Sequence, residues 1–398
     1  MTYPLTPPRR APARKRAAFS WRSRTARGLV YQVAAVGLIA LLAWLLMGNT
    51  LDNMRQRGIQ SGYDFLGQPA GFDIGESWLS YDSQDPYWKA FLVGLVNTLR
   101  VAVVGIFLAT VLGTLLGVGR FSRNALVRAL CYCYVELLRN IPVLLQLLMW
   151  YLLLSEYLPD AAEPLRLGHL FLSKNGIAFP LLIWETAHSL ALMGLVLGMG
   201  ASALWIRAAR ARFERTGRPQ PVAIVTAALL VLPLILGWLA AGASAQWELP
   251  RMGELQVQGG GSLSPEYLAV MLGLVLYTSA FIAEVVRAGI ASVPLGQIEA
   301  SASLGLPRAR TLRLVVLPQA LRLIVPPLTN QYLNLTKNSS LAVAVGYPEL
   351  VSIANTSLNQ TGRAVECISI IMLVYLSTSL ATSALMNWFN RRAAIKER

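Results

Sequence analysis

The sequence has few charged residues and few side chains suited to catalysis. Only 14% of its 398 residues are Asp, Glu, Lys or Arg, and 55% are hydrophobic, whereas a soluble domain carries about 25% charged residues. Its two histidines, His169 and His188, lie far apart, and no H-E-x-x-H pair occurs. The phosphate-binding motif G-x-x-x-x-G-K-[ST] and the nucleophile motif G-x-S-x-G are also missing. These absences argue against an enzyme, and we predict no catalytic residue and no metal site on this chain.

Cysteine is scarce as well. The three cysteines, Cys131, Cys133 and Cys367, lie inside or beside apolar segments. An odd number of cysteines without nearby ligand-like side chains does not suggest a disulfide framework. We expect them to be packing residues.

Long apolar runs are what the sequence does contain. Each of eight runs is long enough to cross a bilayer, although the seventh is weakened by polar residues. They cover residues 29–47, 90–118, 130–154, 187–207, 222–244, 266–287, 321–345 and 367–389. The predicted fold is therefore an all-α polytopic membrane protein with about eight transmembrane helices.

The basic residues indicate how these helices are oriented. The net charge is +15, and the basic clusters fall in alternate connections, which is typical of cytosolic loops. Residues 1–28 hold eight Arg or Lys and no acidic residue, which predicts a disordered tail. An organellar transit peptide or a signal-peptide n-region has a similar composition, but no small-x-small cleavage site follows the first apolar run. We predict an uncleaved anchor and cytosolic termini.

Residues 294–318 form a polar, patterned stretch between two apolar runs. Pro294 suits the first turn of a helix, and Gly305 suits the residue after its end, where φ is positive. Pro307 would start a second short helix, with Ala309, Leu312, Val315 and Val316 recurring at helical spacing, and Pro318 would break or bend it. From these features alone, the stretch is either a docking surface or a cytosolic helix-turn-helix that packs on its own bundle.

The spacing Glu299-Ala300-Ser301, three residues, Gly305, nine residues, Val315-x-Leu317-Pro318 resembles the EAA loop of ABC importer permeases. Ser301 and Val315 depart conservatively from that pattern. In that family the loop docks into a cleft on the ATPase subunit. The resemblance therefore implies ATPase-coupling residues, namely Gln297, Glu299, Ala300, Ser301, Gly305, Leu317 and Pro318.

Further motifs are similar to those of the polar and general L-amino acid importers of Gram-negative bacteria. They cover roughly residues 87–155 and 264–390, and the quoted runs are Gly94-x-x-Asn97-Thr-Leu99, Glu136-Leu-Leu-Arg139-Asn-Ile-Pro142, Ala283-Glu284-x-x-Arg287-Ala-Gly289 and Lys337-Asn-Ser-Ser-Leu341. The resemblance implies a type I permease core with cytosolic coupling helices in the inner membrane. Its partners would be an ABC ATPase dimer that binds ATP and Mg, a second homologous permease and a periplasmic amino-acid-binding protein. No cofactor on this chain and no nucleic-acid partner are expected.

These likenesses divide the chain into segments. We predict a tail at 1–28, an extra transmembrane helix at 29–47, a periplasmic loop at 48–89, the first part of the core at 87–155, a two-helix insertion at 156–263, the second part of the core at 264–390 and a cytosolic tail at 391–398.

Ionisable side chains inside apolar runs are candidate functional residues, because lipid exposure is costly. Arg100 lies about ten residues into its run. Either it attracts a substrate carboxylate, or it pairs with a carbonyl or extends its charged end to the membrane interface. Glu136 with Arg139 and Glu284 with Arg287 have the i, i+3 spacing of pairs within one helix.

The seventh run carries a polar stripe. Asn330, Asn334, Lys337 and Asn338 recur at helical spacing, so they face a cavity or polar neighbours. Either they line the substrate pathway or they only make interhelical hydrogen bonds. Pro326 and Pro327 should kink this helix.

The sequence favours the permease subunit of an ATP-driven importer that moves L-amino acids from periplasm to cytoplasm by alternating access. The competing class is a secondary transporter of amino acids or similar small polar solutes that runs on an ion gradient. A membrane scaffold without transport is a third.

Overall fold

The fold was taken from a computed structural model, which describes residues 24–56, 58, 61–243, 245–253 and 256–393. Twelve α-helices account for most of these residues. In chain order they are α1 Arg24–Gln56, α2 Tyr87–Gly119, α3 Ala125–Asn140, α4 Val143–Tyr157, α5 Thr186–Thr216, α6 Val222–Ala240, α7 Pro265–Ala291, α8 Leu295–Ser303, α9 Arg308–Thr311, α10 Leu317–Asn338, α11 Leu350–Thr361 and α12 Ala364–Ala393. The mostly helical class predicted from the apolar runs is confirmed.

Seven helical segments of the described chain are long and apolar enough to cross a membrane, or up to eight if one bent pair counts as a span. The bent pair is α3 and α4, which meet at 106°. The apolar run predicted to span at 130–154 is therefore two helices with a break between them, and the pair still counts as a candidate span. Pro142, which has no N–H, precedes α4, and the Gln146 amide donates to the carbonyls of Leu138 and Ile141 at 2.9 Å each. These bonds satisfy carbonyl groups that the break leaves without helical partners.

The bundle is built around α2 and α7, which cross at small residues. A Cβ added to Gly113 would lie 2.7 Å from the Ile282 Cβ and from the Ser279 carbonyl oxygen, and one added to Gly117 would lie 2.7 Å from the Ala283 carbonyl oxygen. Small residues four apart let two membrane helices approach closely, so that van der Waals packing holds them together. Helices α4 and α10 pack on other faces of α7 around a buried apolar cluster.

We expect Gly113→Val to destabilise the folded protein, because overpacking a close helix crossing costs about 1 to 3 kcal/mol. The measurement is the midpoint temperature of aggregation of the detergent-solubilised protein. Gly37→Val in α1 is the matched control, since nothing lies within 4 Å of a Cβ at Gly37. Equal midpoints for the two variants would contradict the close crossing.

A second apolar cluster lies at the end of the bundle where α2 and α7 begin, which we name the outer end. There Phe65 and Tyr87 stack edge to face with ring centroids 5.4 Å apart, and they pack with residues of α11 and α12. The sequence did not predict α11. Helix α11 packs beside the start of α2 in this cluster. The segment predicted as a loop at 48–89 is therefore largely folded: α1 continues to Gln56, residues 61–86 pack over the cluster, and α2 begins at Tyr87.

The predicted insertion at 156–263 contains the expected helices, α5 and α6, and strands that were not predicted. The strands are β1 Leu165–Leu167, β2 Leu170–Ser173, β3 Gly176–Phe179, β4 Leu181–Leu182, β5 Trp247–Glu248, β6 Arg251–Met252, β7 Val257–Gln258 and β8 Gly261–Leu263. Four of them form an antiparallel sheet in the order β1-β2-β3-β8. Because this sheet pairs β3 before α5 with β8 after α6, it closes the base of the α5–α6 hairpin.

The ends of the chain differ from the predicted boundaries. The tail predicted at 1–28 falls outside the described residues up to 23, and α1 already begins at Arg24. Helix α12 likewise continues to Ala393, into the tail predicted at 391–398, and residues 394–398 fall outside the described part.

Candidate functional site

The stretch predicted to be a docking loop folds into two short helices. Helix α8 ends at Ser303, and Gly305 follows with φ of 72°. The amide of Leu306 donates to the Ser301 carbonyl at 3.1 Å, and that of Gly305 to the Ala302 carbonyl at 2.9 Å. This is the backbone arrangement that a glycine after a helix end allows.

Ser301, one of the two departures from the EAA pattern, joins the two helices. Its buried hydroxyl lies 3.2 Å from the Thr311 hydroxyl and donates to the Ile298 carbonyl at 2.7 Å. The other predicted coupling residues point outwards: Gln297, Glu299, Ala300, Gly305 and Leu317 are exposed, and Pro318 is half-buried. The loop is therefore internally braced and presents an open surface.

The apolar face predicted for the second helix is partly wrong. Val316 is buried and Val315 half-buried, but Ala309 and Leu312 are exposed. Helix α9 lasts only four residues and passes into a π-helical turn at Leu312–Val316 before α10 begins. The turn changes the side-chain register, and Pro318 falls in the first turn of α10, where its missing N–H costs nothing. Helix α10 continues through Pro326 and Pro327, and the kink expected at these two residues stays a prediction.

The polar stripe lies on the surface of α10. Asn330, Asn334 and Lys337 are exposed and Asn338 is half-buried. Among the described residues, none of these four side chains has a hydrogen-bonding or charged partner, so hydrogen bonds between helices of this chain do not account for the stripe. In a membrane, such a row requires water or another polar surface.

Arg100 does not lie free in the bundle. Because α2 begins at Tyr87, Arg100 reaches only the level where α7 starts, and its guanidinium stacks 4.0 Å from the Tyr267 ring centroid. It donates to the carboxylate of Glu76, a partner that the sequence did not indicate. Nothing in the spacing of an acidic outer loop distinguishes Glu76 from its neighbours.

Of the two predicted helical ion pairs, one forms. Glu284 accepts from Arg287 at 2.6 Å and also from Arg120, the residue that follows α2, at 2.6 Å. Glu136 and Arg139, in contrast, form no ion pair in the part of the chain that the structure describes. Arg139 lies 5.2 Å from the Phe281 ring centroid instead, because α3 is turned towards α7. Arg139, Glu284 and Gln331 line a cavity of about 460 Å³ between α3, α7 and α10.

Comparison with known proteins places this sequence in a family. A family model described as "Binding-protein-dependent transport system inner membrane component" matches residues 220–395. The chain is 44% identical over 374 residues to the general L-amino acid transport system permease protein AapQ of Rhizobium johnstonii, covering 94% of this chain and 93% of that protein. The chain belongs to this family of transport permeases.

Two further relatives span the same length. The permease is 44% identical over 383 residues to the putative amino-acid ABC transporter permease protein YhdX of Escherichia coli, covering 95% of this chain and 97% of that protein. It is 37% identical over 408 residues to the glutamate/glutamine/aspartate/asparagine transport system permease protein BztB of Rhodobacter capsulatus, covering 94% and 95%. The permease is thus an inner-membrane component of a transport system, and such permeases generally work with an ATPase and a binding protein.

Proposed function

We propose that this permease is the membrane-spanning subunit of an ATP-driven importer that moves L-amino acids inwards by alternating access. The observation that carries the proposal is the braced loop at 294–318. Its exposed Glu299, Ala300 and Gly305 provide a surface for an ATPase. The relatives AapQ and BztB match over nearly the whole chain. AapQ is named as a permease of general L-amino acid transport and BztB as one of glutamate, glutamine, aspartate and asparagine transport, and this supports the substrate class.

The assembly that fits this surface contains an ABC ATPase dimer, which holds ATP and Mg, a second homologous permease and a periplasmic binding protein. ATP hydrolysis takes place on the ATPase, and the permease itself performs no covalent chemistry. Its place is the inner membrane of a Gram-negative cell, with both termini and the 294–318 loop in the cytoplasm. The charged residues of the alternate connections support this orientation.

The polar stripe supports a substrate pathway along the face of α10 that carries it. Its exposed amides and Lys337 lack partners among the described residues of the subunit, and a second permease beside α10 would enclose a polar channel between the two subunits. A gradient-driven carrier needs no ATPase surface, so it leaves the braced loop without a function.

Labelled L-glutamine and L-glutamate are suitable probes of this function. Their uptake is measured in a strain whose chromosomal gene for the permease is deleted and which carries the permease gene on a plasmid. We expect uptake to stop when ATP is depleted while the ion gradients are maintained. Uptake should continue when the gradients are collapsed and ATP is maintained. The reverse pattern would identify a secondary transporter and would overturn the proposal.

A further inference from the structure

Residues 61–86 form a folded strap across the outer end of the bundle. Near its start, Asp64 pairs with Arg363 at the beginning of α12, with Oδ2 2.9 Å from Nη2. The amide of Gly62 donates to Glu366 at 2.7 Å. Hydrogen bonds from Arg363 lower the pKa of the Asp64 carboxyl, so this attachment is charged at neutral pH. The strap is anchored on one side, and Glu76 makes its contact with the centre of the bundle.

The Glu76 carboxylate uses both oxygens to join two helices. One oxygen accepts from Arg100 of α2, and the other accepts from the Ser264 hydroxyl at the start of α7. The amide of Asn97 holds the same segment by donating to the Glu76 backbone carbonyl at 2.9 Å. The Glu76 carboxylate, which lies in an irregular segment, thus bridges the two central helices α2 and α7.

The surroundings of Arg100 are built to hold a carboxylate. Its side chain is only 4% exposed, and its guanidinium is enclosed by the rings of Trp78 at 4.5 Å and Tyr267 at 4.0 Å. A buried guanidinium is costly unless a carboxylate pairs with it, and its planar donors suit that partner. The buried Tyr347 hydroxyl also lies near this pair, and Tyr347 interacts electrostatically with both Arg100 and Glu76.

A cavity of about 400 Å³ adjoins this carboxylate, within the size range of small-molecule sites. Glu76 and Ser264 line one side of it, and Asp73 and Glu266 add two further carboxyl groups to its wall. Arg100 does not itself line the cavity, and Glu76 contacts both. Displacement of Glu76 would open the Arg100 guanidinium to a cavity whose charged lining groups are acidic. This is the charge pattern that an α-amino acid, with one carboxylate and one ammonium group, would match.

We propose that Arg100 is the carboxylate-binding residue of an outer amino-acid site, and that Glu76 occupies it as an internal substitute until an incoming amino acid displaces it. The inference rests on the proposed function, since it assigns that substrate a first site in the permease. The strap would then be the outer gate. It is closed by the Glu76–Arg100 pair and opened when the substrate carboxylate takes over the guanidinium.

The test measures equilibrium binding of labelled L-glutamine to the purified membrane complex of both permeases and the ATPase dimer. The periplasmic binding protein is left out. Glu76→Gln keeps a hydrogen-bonding side chain but removes the competing charge, so we expect affinity to rise about tenfold, the equivalent of about 1.4 kcal/mol. The neutral double variant E76Q/R100Q should bind at least about tenfold more weakly than E76Q. L-Glutamine α-amide, which lacks the carboxylate, should not compete for E76Q.

The control is D160N/K174Q, which neutralises the pair of Asp160 and Lys174 at 3.0 Å, outside the strap and the contacts of Arg100. The affinity of this variant for L-glutamine should match that of the wild type. A purely structural ion pair gives the opposite pattern: E76Q binds no more tightly, and E76Q/R100Q binds like the wild type. That result would overturn the proposal. If the wild-type importer takes up amino acids in the ATP experiment, only the outer site is rejected and the proposed function stands.

A second measurement leaves Glu76 and Arg100 in place. Ser77 is half-buried in the strap, and among the described residues its hydroxyl bonds only to Leu79 within its own turn. In Ser77→Cys, saturating L-glutamine should raise the rate of labelling by a membrane-impermeant maleimide several-fold, because the strap lifts. An unchanged rate would overturn the displacement of Glu76 even if the substituted variants failed to assemble.

Discussion

We expect Gly305→Val to abolish amino-acid uptake while the permease still inserts and assembles in the membrane. Gly305 has φ of 72°, and a β-branched residue in this region costs about 1 to 3 kcal/mol. The strain can be relieved only by reshaping the end of α8, which separates Ser301 from Thr311 and turns the exposed surface at Glu299 and Ala300. We expect initial uptake rates to fall tenfold or more, since about 1.4 kcal/mol corresponds to a factor of ten.

Gly217→Val is the matched control for this variant. Gly217 also follows the end of a helix, with φ of 66°, and nothing lies within 4 Å of an added Cβ at either glycine. Both substitutions therefore introduce the same backbone strain, but only Gly305 belongs to the 294–318 loop. The measurements are the initial rate of amino-acid uptake and the amount of permease in the membrane, for both variants. Normal uptake by Gly305→Val, or equal loss in both, would show that the loop has no special part in coupling.

The second large effect is expected in the polar stripe. Asn334→Leu and Lys337→Leu remove polar groups that have no partner in the described subunit, so the fold of the single permease loses no hydrogen bond. If the stripe lines the pathway, each change places an apolar group in a polar channel and uptake falls tenfold or more. Labelled amino-acid uptake, normalised to membrane-inserted protein, measures the effect.

Thr329→Leu provides the comparison on the same helix. The Thr329 hydroxyl bonds only to the Val325 carbonyl of its own helix, at 3.3 Å, and it lies off the stripe. We expect its uptake to stay near the wild-type rate. A scaffold without transport function predicts that all three variants behave alike, and unaffected uptake in Asn334→Leu and Lys337→Leu would remove the stripe from the pathway.

Much of this architecture follows from local sequence features. Apolar length predicts the spanning helices because the backbone must satisfy its own hydrogen bonds in lipid, and Gly305 predicts a positive φ because few other residues adopt it. The pairing of Glu284 with Arg287 is also local, as the two side chains are one helical turn apart. Each of these features is decided within a few residues of chain.

The features that sequence reasoning missed depend on contacts distant in the chain. Glu76 and Arg100 lie 24 residues apart, and Asp64 and Arg363 lie 299 apart. No periodicity relates such positions. Arg139 shows the converse, because its i, i+3 partner Glu136 is available but packing of α3 against α7 places it over Phe281. The break at Pro142 was missed for a similar reason, since the Gln146 amide that satisfies the interrupted helix becomes visible only once the chain is folded.

The central claim is that residues 294–318 engage an ATPase, and site-specific photo-cross-linking tests it most directly. A benzophenone amino acid would replace exposed Ala300 in the complete importer in cells, and exposed Arg215 at the end of α5 would be the control position. We predict a covalent adduct with the ABC ATPase at position 300 and none at 215, identified by mass spectrometry. Absence of the ATPase from the position 300 adducts, or equal capture at both positions, would contradict the account.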